Sequence, residues 1–227
     1  MEKKKSIEIL HFTDIHGAGY LFQEIRESIG KADLIILSGD ITHFGTVADA
    51  RKIIENLARF NKHILAVSGN CDDLTIDTYL NKSNRGIHMK TVEFGNYLFT
   101  GISGSLPCPG RTPYEFTETE VASWLQQMSA QIIDDKSLIF VTHQPPFNTI
   151  ADKIGYNVHV GSQSIREFIQ NKKPVLCLTG HIHEGIGVDK IDDCPVVNPG
   201  PFRTGNYAHI RIDEYGSVEI SLRQIRA

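Results

Sequence analysis

The run Leu34-Ile-Ile-Leu-Ser-Gly-Asp40 combines four consecutive apolar residues with a glycine and a carboxylate shortly after them. An apolar run without alternation predicts a strand that is buried on both faces, as in parallel sheets covered by helices. The same arrangement occurs where Ile7–Phe12 leads into Thr13-Asp-Ile-His16 and where Ile64–Val67 leads into Ser68-Gly-Asn70. The sequence therefore predicts parallel strands whose carboxyl ends carry polar side chains.

Helical patterns alternate with these strands. Apolar residues recur at helical spacing in Leu21–Ile29 and in Val47–Phe60, so the first third of the chain predicts a βαβαβ unit of the α/β class. The pair Gly95-Asn96 between two apolar runs indicates a hairpin, and Thr117-Glu-Thr-Glu120 has capping-box spacing. We expect one domain over residues 1–227 with two packed sheets. The other predicted elements are the helices Val121–Ile133 and Ser162–Asn171, the strands Leu138–Val141 and Val175–Leu178, and a hairpin of His209–Asp213 with Val218–Leu222. An apolar run, Pro195-Val-Val, leads into Asn198-Pro-Gly-Pro.

Composition excludes several classes of protein. The 227 residues include 23 Lys and Arg against 27 Asp and Glu, which gives a net charge of −4, and 41% are hydrophobic. These values argue against a disordered chain, a collagen-like chain and a protein that holds nucleic acid mainly by charge. The four cysteines have no CxxC spacing, which favours reduced thiols in the cytoplasm. We find no signal-peptide core and no membrane span, so we expect no membrane partner.

Histidine and acidic side chains follow strand after strand. Because the carboxyl ends of strands in an α/β layer converge on one crevice, these side chains are expected to meet there. Imidazole and carboxylate together suit Mn, Fe, Ni or Zn rather than Ca or Mg, and a carboxylate can bridge two cations about 3.5–4 Å apart. The candidate metal ligands are Asp14, His16, Asp40, Asn70, His143, His181 and His183.

The ordered series Asp14-Ile-His16, Gly39-Asp40, Gly69-Asn70, His143 and Gly180-His-Ile-His183 resembles the calcineurin-like metallophosphoesterase family. The resemblance implies a four-layer α/β/β/α sandwich and a dinuclear site that hydrolyses a phosphodiester or a phosphomonoester. It implies that a hydroxide bridging the metals attacks phosphorus, with two divalent ions, Mn foremost and Fe, Ni or Zn as alternatives. By the same resemblance, Asp14, His16 and His183 bind the first metal, Asn70, His143 and His181 bind the second, and Asp40 bridges them.

One position departs from the common family pattern. Where many members have Gly-Asn-His, this chain has Gly69-Asn-Cys71, and a thiol with a pKa of about 8.5 is a poorer proton donor than an imidazolium. Family members with the Gly-Asn-Cys form are often described as phosphodiesterases, which favours a diester substrate. Our hypothesis is that His43 supplies the missing imidazole as a catalytic proton donor, while Cys71 is a small buried residue.

Several interpretations stay open. Arg203 and Asn70 are candidate phosphate-binding residues, with Arg203 as a bidentate clamp, although a surface role is the default for an arginine. A helix that begins after His159 could bind an anion at its amino end, or carry an ordinary cap. The strand Tyr97–Ile102 could be core or an interface edge, and a homo-oligomer is possible. A non-catalytic scaffold on the same fold is the alternative function, and a nuclease subunit ranks below it. The expected partner is a phosphorylated small molecule, without stable nucleic-acid binding.

Overall fold

The computed structural model describes residues 6–132, 136–156 and 158–225. Residues 1–5, the predicted helix end at Ile133 and the loop residue Asn157 lie outside this description. Within it, no helix has the length and apolar character needed to cross a bilayer. The helices are α1 (Arg26–Lys31), α2 (Val47–Ala58), α3 (Thr75–Lys82), α4 (Glu118–Ser129) and α5 (Gln163–Lys172). The strands are β1 (Ile7–Phe12), β2 (Leu34–Ser38), β3 (Ile64–Val67), β4 (Thr91–Phe94), β5 (Tyr97–Ile102), β6 (Ser137–Thr142), β7 (Lys153–Ile154), β8 (Val158–His159), β9 (Leu176–Leu178), β10 (Gly187–Ile191), β11 (Cys194–Asn198), β12 (Asn206–Ile212) and β13 (Val218–Gln224).

Two large mixed sheets organise the chain. The first has the order β13-β12-β1-β2-β3 and the second the order β10-β11-β9-β6-β5-β4. In the first sheet β1, β2 and β3 are parallel, and β12 joins the edge of β1 in the antiparallel direction. In the second sheet β5, β6, β9 and β11 are parallel, with antiparallel β4 and β10 at the two edges. Ser38 at the end of β2 contacts His143, directly after β6, at 2.8 Å, so the parallel strands of both sheets end on a common side.

The sheets pack face to face and each is covered by helices. Successive strand residues point to opposite faces, so Ile36 lies in the core between the sheets while Ile35 packs toward the helical side that contains α2. In the second sheet Ile139 faces the first sheet, and Phe140 packs toward Val121 of α4. Three apolar layers separate four structural layers, which confirms the predicted α/β/β/α sandwich.

Some element boundaries differ from the sequence-based expectation. The predicted helix Leu21–Ile29 is divided into a 3-10 segment, Gly19–Ile25, and α1. Helix α4 begins at Glu118 rather than at Val121, because Thr117 and Glu120 form the capping box across its first turn. Helix α3, strand β10 and the small β7–β8 hairpin were not predicted.

Strand β5 belongs to the core. All six of its residues are buried, and it pairs with β4 on one side and with β6 on the other. The open question about Tyr97–Ile102 is therefore resolved in favour of core packing rather than an interface edge.

Candidate metal centre

All seven predicted ligand side chains lie together on the side where the parallel strands end. They follow β1, β2 and β3 of the first sheet and β6 and β9 of the second. Potential ligand atoms of Asp14, His16 and His183 lie within 4.8 Å of one another, and so do those of Asp14, Asp40 and His143. The two groups share Asp14, so the side chains form one continuous cluster.

The first group surrounds Asp14. Nε2 of His183 donates to Oδ1 of Asp14 at 3.1 Å, and Nε2 of His16 lies 3.8 Å from the same oxygen. The two imidazole Nε2 atoms are 3.3 Å apart. Nδ1 of His16 is buried and has no hydrogen-bond partner in the described part of the chain. The Nε2 atoms of the two imidazoles and one carboxylate oxygen therefore converge on one small volume.

The second group surrounds His143. Its Nε2 lies 2.9 Å from Oδ1 of Asn70, and its ring centre lies 5.1 Å from that of His181. Asp40 lies between the imidazoles of the two groups, because Oδ1 is 3.5 Å from Nε2 of His143 while Oδ2 is 3.5 Å from Nε2 of His16. Each oxygen of this one carboxylate faces a different group, which is the placement that a bridging ligand needs.

The backbone at the cluster is strained. Asp14, His16, Asp40 and His181 have φ values of 51°, 45°, 49° and 69°, in the left-handed region that non-glycine residues rarely occupy. Such residues persist only where the surrounding structure holds them, and they concentrate at functional sites. Here the conformation aims side chains from strand ends into one crevice.

The glycines directly before Asp40, Asn70 and His181 allow close packing. A Cβ at Gly39 would lie 2.3 Å from Nδ1 of His143, and one at Gly69 would lie 2.0 Å from Oδ1 of Asp40. A Cβ at Gly180 would lie 1.8 Å from Oγ1 of Thr13. Because a side chain fits at none of these positions, the Gly-Asp, Gly-Asn and Gly-His pairs of the sequence reflect direct contact across the cluster.

The hydrogen bonding of His143 shows what the cluster can hold. Nδ1 of His143 donates to the Ser38 carbonyl at 2.8 Å, so in the neutral ring Nε2 carries a lone pair. That lone pair faces Oδ1 of Asn70 and Oδ1 of Asp40, both of which are acceptors. Three acceptors that converge need a proton or a cation between them. The imidazole and carboxylate donors fit divalent ions of the Mn, Fe, Ni or Zn type.

A relay of side chains orients the Asn70 amide. The Thr112 hydroxyl donates to Oε1 of Glu115 at 2.7 Å, so its oxygen is free to accept from Nδ2 of Asn70 at 3.0 Å. This fixes Nδ2 toward Thr112 and Oδ1 toward His143. Sequence reasoning missed Thr112 and Glu115, because the loop that contains them returns to the cluster only in the folded chain.

The electrostatics of the cluster reflect close packing of opposite charges. Burial would lower the pKa of His143, but the charge of Asp40 and its hydrogen bonding outweigh it and raise the pKa to about 9. Burial would raise the pKa of Asp14, but the hydrogen bond from His183 and the nearby imidazoles hold it below its usual range. Burial and the charge of His143 lower the pKa of His181 to about 4. Without a cation, a proton on His143 thus neutralises part of the carboxylate charge.

Two further candidates lie at the rim. His43 is exposed, and its ring centre is 5.2 Å from that of His16. One nitrogen of each of these imidazoles lies within 4.8 Å of the Cys71 sulfur. Arg203 is exposed and donates from Nη2 to Nδ1 of His183 at 3.3 Å. Both therefore stand beside the cluster, where a substrate would arrive.

The amino end of α5, after His159, does not offer an open anion site. Oε1 of Glu118 accepts from the Ser164 amide at 2.6 Å and from the Ser162 hydroxyl at 2.8 Å. Ser162 also caps the helix by accepting from the Ile165 amide. A carboxylate of the chain thus occupies the position that an anionic ligand would take, and the cap interpretation holds.

Comparison with known proteins agrees with this geometry. Residues 7–185 match the calcineurin-like phosphoesterase family. An uncharacterised protein of Methanocaldococcus jannaschii is 38% identical over 203 residues, which cover 87% of this chain and 89% of that protein. A probable glycerophosphodiester phosphodiesterase of Arcobacter nitrofigilis is 25% identical over 180 residues, with 75% and 64% covered.

Solved structures share the fold. A protein of Thermus thermophilus has a TM-score of 0.77 at 20% identity, with 98% of this chain and all of that chain covered. A purple acid phosphatase from yellow lupin seeds has a TM-score of 0.62 at 11% identity, with 98% and 52% covered. The chain therefore belongs to the calcineurin-like phosphoesterases, a family of metal-dependent phosphoester hydrolases.

Proposed function

We propose that this chain is a dinuclear metal-dependent phosphoesterase, formed by one domain. Asp14, His16 and His183 would hold one divalent cation, while Asn70, His143 and His181 would hold the other. Asp40 would bridge them. The observation that carries this proposal is the position of Asp40, whose two carboxylate oxygens each face a different group of imidazoles at 3.5 Å.

Other residues of the chain would bind the phosphoryl group and protonate the leaving group. Two divalent cations in such a site supply Lewis acidity toward phosphoryl oxygens and a lowered pKa of water. Arg203 and the Asn70 amide would hold the phosphoryl group, and His43 would protonate the leaving oxygen. Cys71 is a poor alternative donor, because burial and the charge of Asp40 raise the pKa of its thiol far above the usual range.

Finer features of the activity are also part of the proposal. We favour a phosphodiester over a phosphomonoester because of the Gly-Asn-Cys form, and the similarity to a probable glycerophosphodiester phosphodiesterase points the same way. Manganese is the favoured metal by resemblance to the family, with Fe, Ni and Zn as alternatives that the same imidazole and carboxylate ligands also suit. Four free cysteines favour the cytoplasm.

One experiment separates an enzyme from a scaffold. Purified protein should contain two Mn, Fe, Ni or Zn ions per chain by elemental analysis, and should hydrolyse bis(p-nitrophenyl) phosphate faster than p-nitrophenyl phosphate. Asp40→Asn keeps the shape but removes a charge, so turnover should fall at least ~100-fold, whereas the exposed control Glu55→Gln should retain it. A folded wild-type protein that binds no metal and turns over neither ester would establish the scaffold instead.

The role of His43 needs its own test. His43→Ala should reduce turnover by roughly 100-fold for an alkyl ester, whose leaving group needs a proton, and by much less for a p-nitrophenyl ester. Equal losses on both esters would assign His43 to binding rather than to proton transfer. Full turnover of the alkyl ester in the variant would remove His43 from the mechanism.

A further inference from the structure

A cavity of about 550 Å³ opens beside the candidate metal centre. Its volume falls within the roughly 300–1,000 Å³ typical of small-molecule sites. None of the seven candidate ligands lines it, and its walls combine apolar side chains with one carboxylate. The lining residues are Phe44, Gly45, Thr46, Val47, Ala48, Asp73, Thr75 and Pro113.

The cavity lies beside the site, because three chain segments border both, and the Phe44 ring centre is 4.8 Å from that of His43. Phe44 directly follows His43, and Pro113 directly follows Thr112, whose hydroxyl accepts from the Asn70 amide. The Phe44 amide donates to the Cys71 carbonyl at 3.1 Å, two residues before Asp73. An organic group attached to a phosphate at the metal centre would therefore enter this cavity.

Phe44 is the unusual wall of the cavity. Its side chain is 56% exposed, and its φ of 56° lies in the left-handed region, where a bulky aromatic residue is an outlier. The side chain gains little from burial, and the backbone conformation lowers stability. A strained residue that offers an exposed ring beside a candidate active site is best explained by contact of that ring with a ligand.

The other walls define the chemistry of that ligand. Val47 and Pro113 are apolar, so the cavity suits a flat, uncharged group. Oδ1 of Asp73 accepts from the amide and hydroxyl of Thr75, and the carboxylate has a second oxygen with further acceptor capacity. A negative charge at this position disfavours a second phosphate and favours N–H donors.

We propose that this cavity binds the nucleobase of a nucleotide-type phosphoester, with the base stacked on Phe44 and its N–H groups near Asp73. The inference rests on the proposed function, because it names the substrate class of that site. It distinguishes a nucleoside ester from a glycerol ester, which has no ring to stack.

Phe44→Gly is the sharpest variant, because glycine removes the ring and also relieves the positive φ, so the fold is not at risk. With Mn²⁺, this change should lower kcat/KM for the dinucleotide ApA by roughly 10- to 100-fold, the range expected for loss of one base stack. Hydrolysis of glycerophosphoethanolamine should stay within twofold. Phe44→Trp, which keeps an aromatic ring, should retain kcat/KM for ApA near the wild-type value.

Tyr215→Ala is the matched control. Tyr215 is 81% exposed and lies in the β12–β13 turn. Strand pairing places this turn beside Ile7, at the end of the first sheet opposite the metal centre. The loss of the Tyr215 ring should change the hydrolysis of neither ApA nor glycerophosphoethanolamine. Equal losses on ApA and glycerophosphoethanolamine in Phe44→Gly would overturn the base-stacking site.

A binding measurement keeps this inference distinct from the proposed function. Calorimetry of adenosine 5′-monophosphate with wild-type protein and Phe44→Gly, in EDTA and in Mn²⁺, should show at least tenfold weaker binding by the variant. Such weakening without turnover of any ester would support the nucleobase site and overturn the enzyme. Equal affinities, or no binding to the wild-type protein at millimolar concentration, would overturn the nucleobase site whatever the turnover.

Discussion

The floor of the candidate site and its rim are built in different ways. The floor consists of Asp14, Asp40, Asn70 and His143, which are 1%, 2%, 3% and 0% exposed. The rim consists of His43 and Arg203, which are exposed. Floor residues come from strand ends in both sheets, whereas rim residues come from loops.

The difference lies in how each side chain is held. In the floor, a second group fixes each one. The Ser38 carbonyl orients His143, and Thr112 orients Asn70. The Thr13 hydroxyl donates to Asp14 at 2.8 Å, and the Cys71 amide donates to Asp40 at 2.8 Å. In the rim, both side chains are exposed and contact the cluster from its solvent side, Arg203 through Nδ1 of His183 and His43 beside the ring of His16. Changes in the floor should therefore weaken folding and metal binding, while changes in the rim should alter substrate binding or turnover without weakening either.

The strongest way to break the floor is to add one methyl group at its centre. In Gly69→Ala the new Cβ would meet both Oδ1 and the backbone nitrogen of Asp40, at 2.0 and 2.2 Å, and the backbone cannot yield without moving Asp40. We expect a loss of about 3 kcal/mol in the free energy of unfolding. Turnover should fall at least ~100-fold, since small misplacements of reacting groups cost that much.

Gly110→Ala is the matched control for this change. Among the described residues, no atom lies within 4 Å of a Cβ at Gly110, and its φ is not positive. Urea denaturation should place this variant within about 0.5 kcal/mol of the wild-type protein. If Gly69→Ala were equally stable, the packing account of the floor would be wrong.

Removing the hydrogen bond from Asn70 to Thr112 should have a smaller effect, because it leaves the packing of the floor intact. Thr112→Val keeps the shape but removes the hydroxyl, so the Asn70 amide loses the acceptor that orients it. We expect metal affinity to fall roughly 10- to 100-fold, as for other groups that orient a ligand. Calorimetric titration with Mn²⁺ measures this without reference to turnover.

Thr112→Ser separates orientation from loop packing. The serine hydroxyl can still accept from Asn70 and donate to Glu115, so its metal affinity should stay within about threefold of the wild-type value. Weak binding by both variants would mean that the methyl group, and not the relay, supports the site.

Below the floor, His11 ties stability to pH. Burial outweighs the charge of Asp14 and lowers the pKa of His11 to about 3, while the unfolded chain keeps a value near 6.5. The unfolded state therefore binds a proton between these values and the folded state does not. The stability that comes from keeping His11 neutral in the folded state is fully present above about pH 6.5 and is lost as the pH falls toward 3. At pH 5, about 2 kcal/mol of the free energy of unfolding is lost.

The matched variant for this prediction is His11→Gln, which keeps a polar partner for the Ser38 hydroxyl, 2.6 Å from Nε2 of His11. Urea denaturation in EDTA between pH 7.5 and 5 should show a shallower loss of stability for the variant than for the wild-type protein. Parallel losses would show that other groups, such as Asp14, control the dependence.

Strands and their ends could be predicted because local patterns encode them. Strand β3 has the predicted bounds, Ile64–Val67, since a buried strand is a continuous apolar run. The seven candidate ligands also lie where their strand-end positions placed them, because parallel strands of an α/β layer end on a common side.

Other parts of the molecule depend on contacts that no local pattern contains. Helix α3 buries Ile76, Asp77 and Leu80. The Asp77 carboxylate accepts hydrogen bonds from three hydroxyl groups outside the helix. Because a charged residue lies on the buried face, the sequence of α3 lacks a continuous apolar face. Strand β10 alternates between half-buried and exposed residues and is defined by its pairing with β11. The loop that carries Thr112 likewise reaches Asn70 only through long-range folding.

The smallest expected effect comes from the rim and tests its separation from the floor. Arg203 donates to Nδ1 of His183, so that nitrogen now accepts, and Nε2 carries the proton that it shares with Asp14. A cation bound at Nε2 needs the opposite tautomer, so metal binding would release the guanidinium toward a phosphate. Arg203→Ala should therefore raise KM by roughly 3- to 10-fold and change kcat less than twofold. Calorimetry with Mn²⁺ should find an affinity equal to or above that of the wild-type protein, because the competing donor is gone. A loss of metal affinity would instead mean that Arg203 supports the metal ligands and belongs to the floor rather than to the rim.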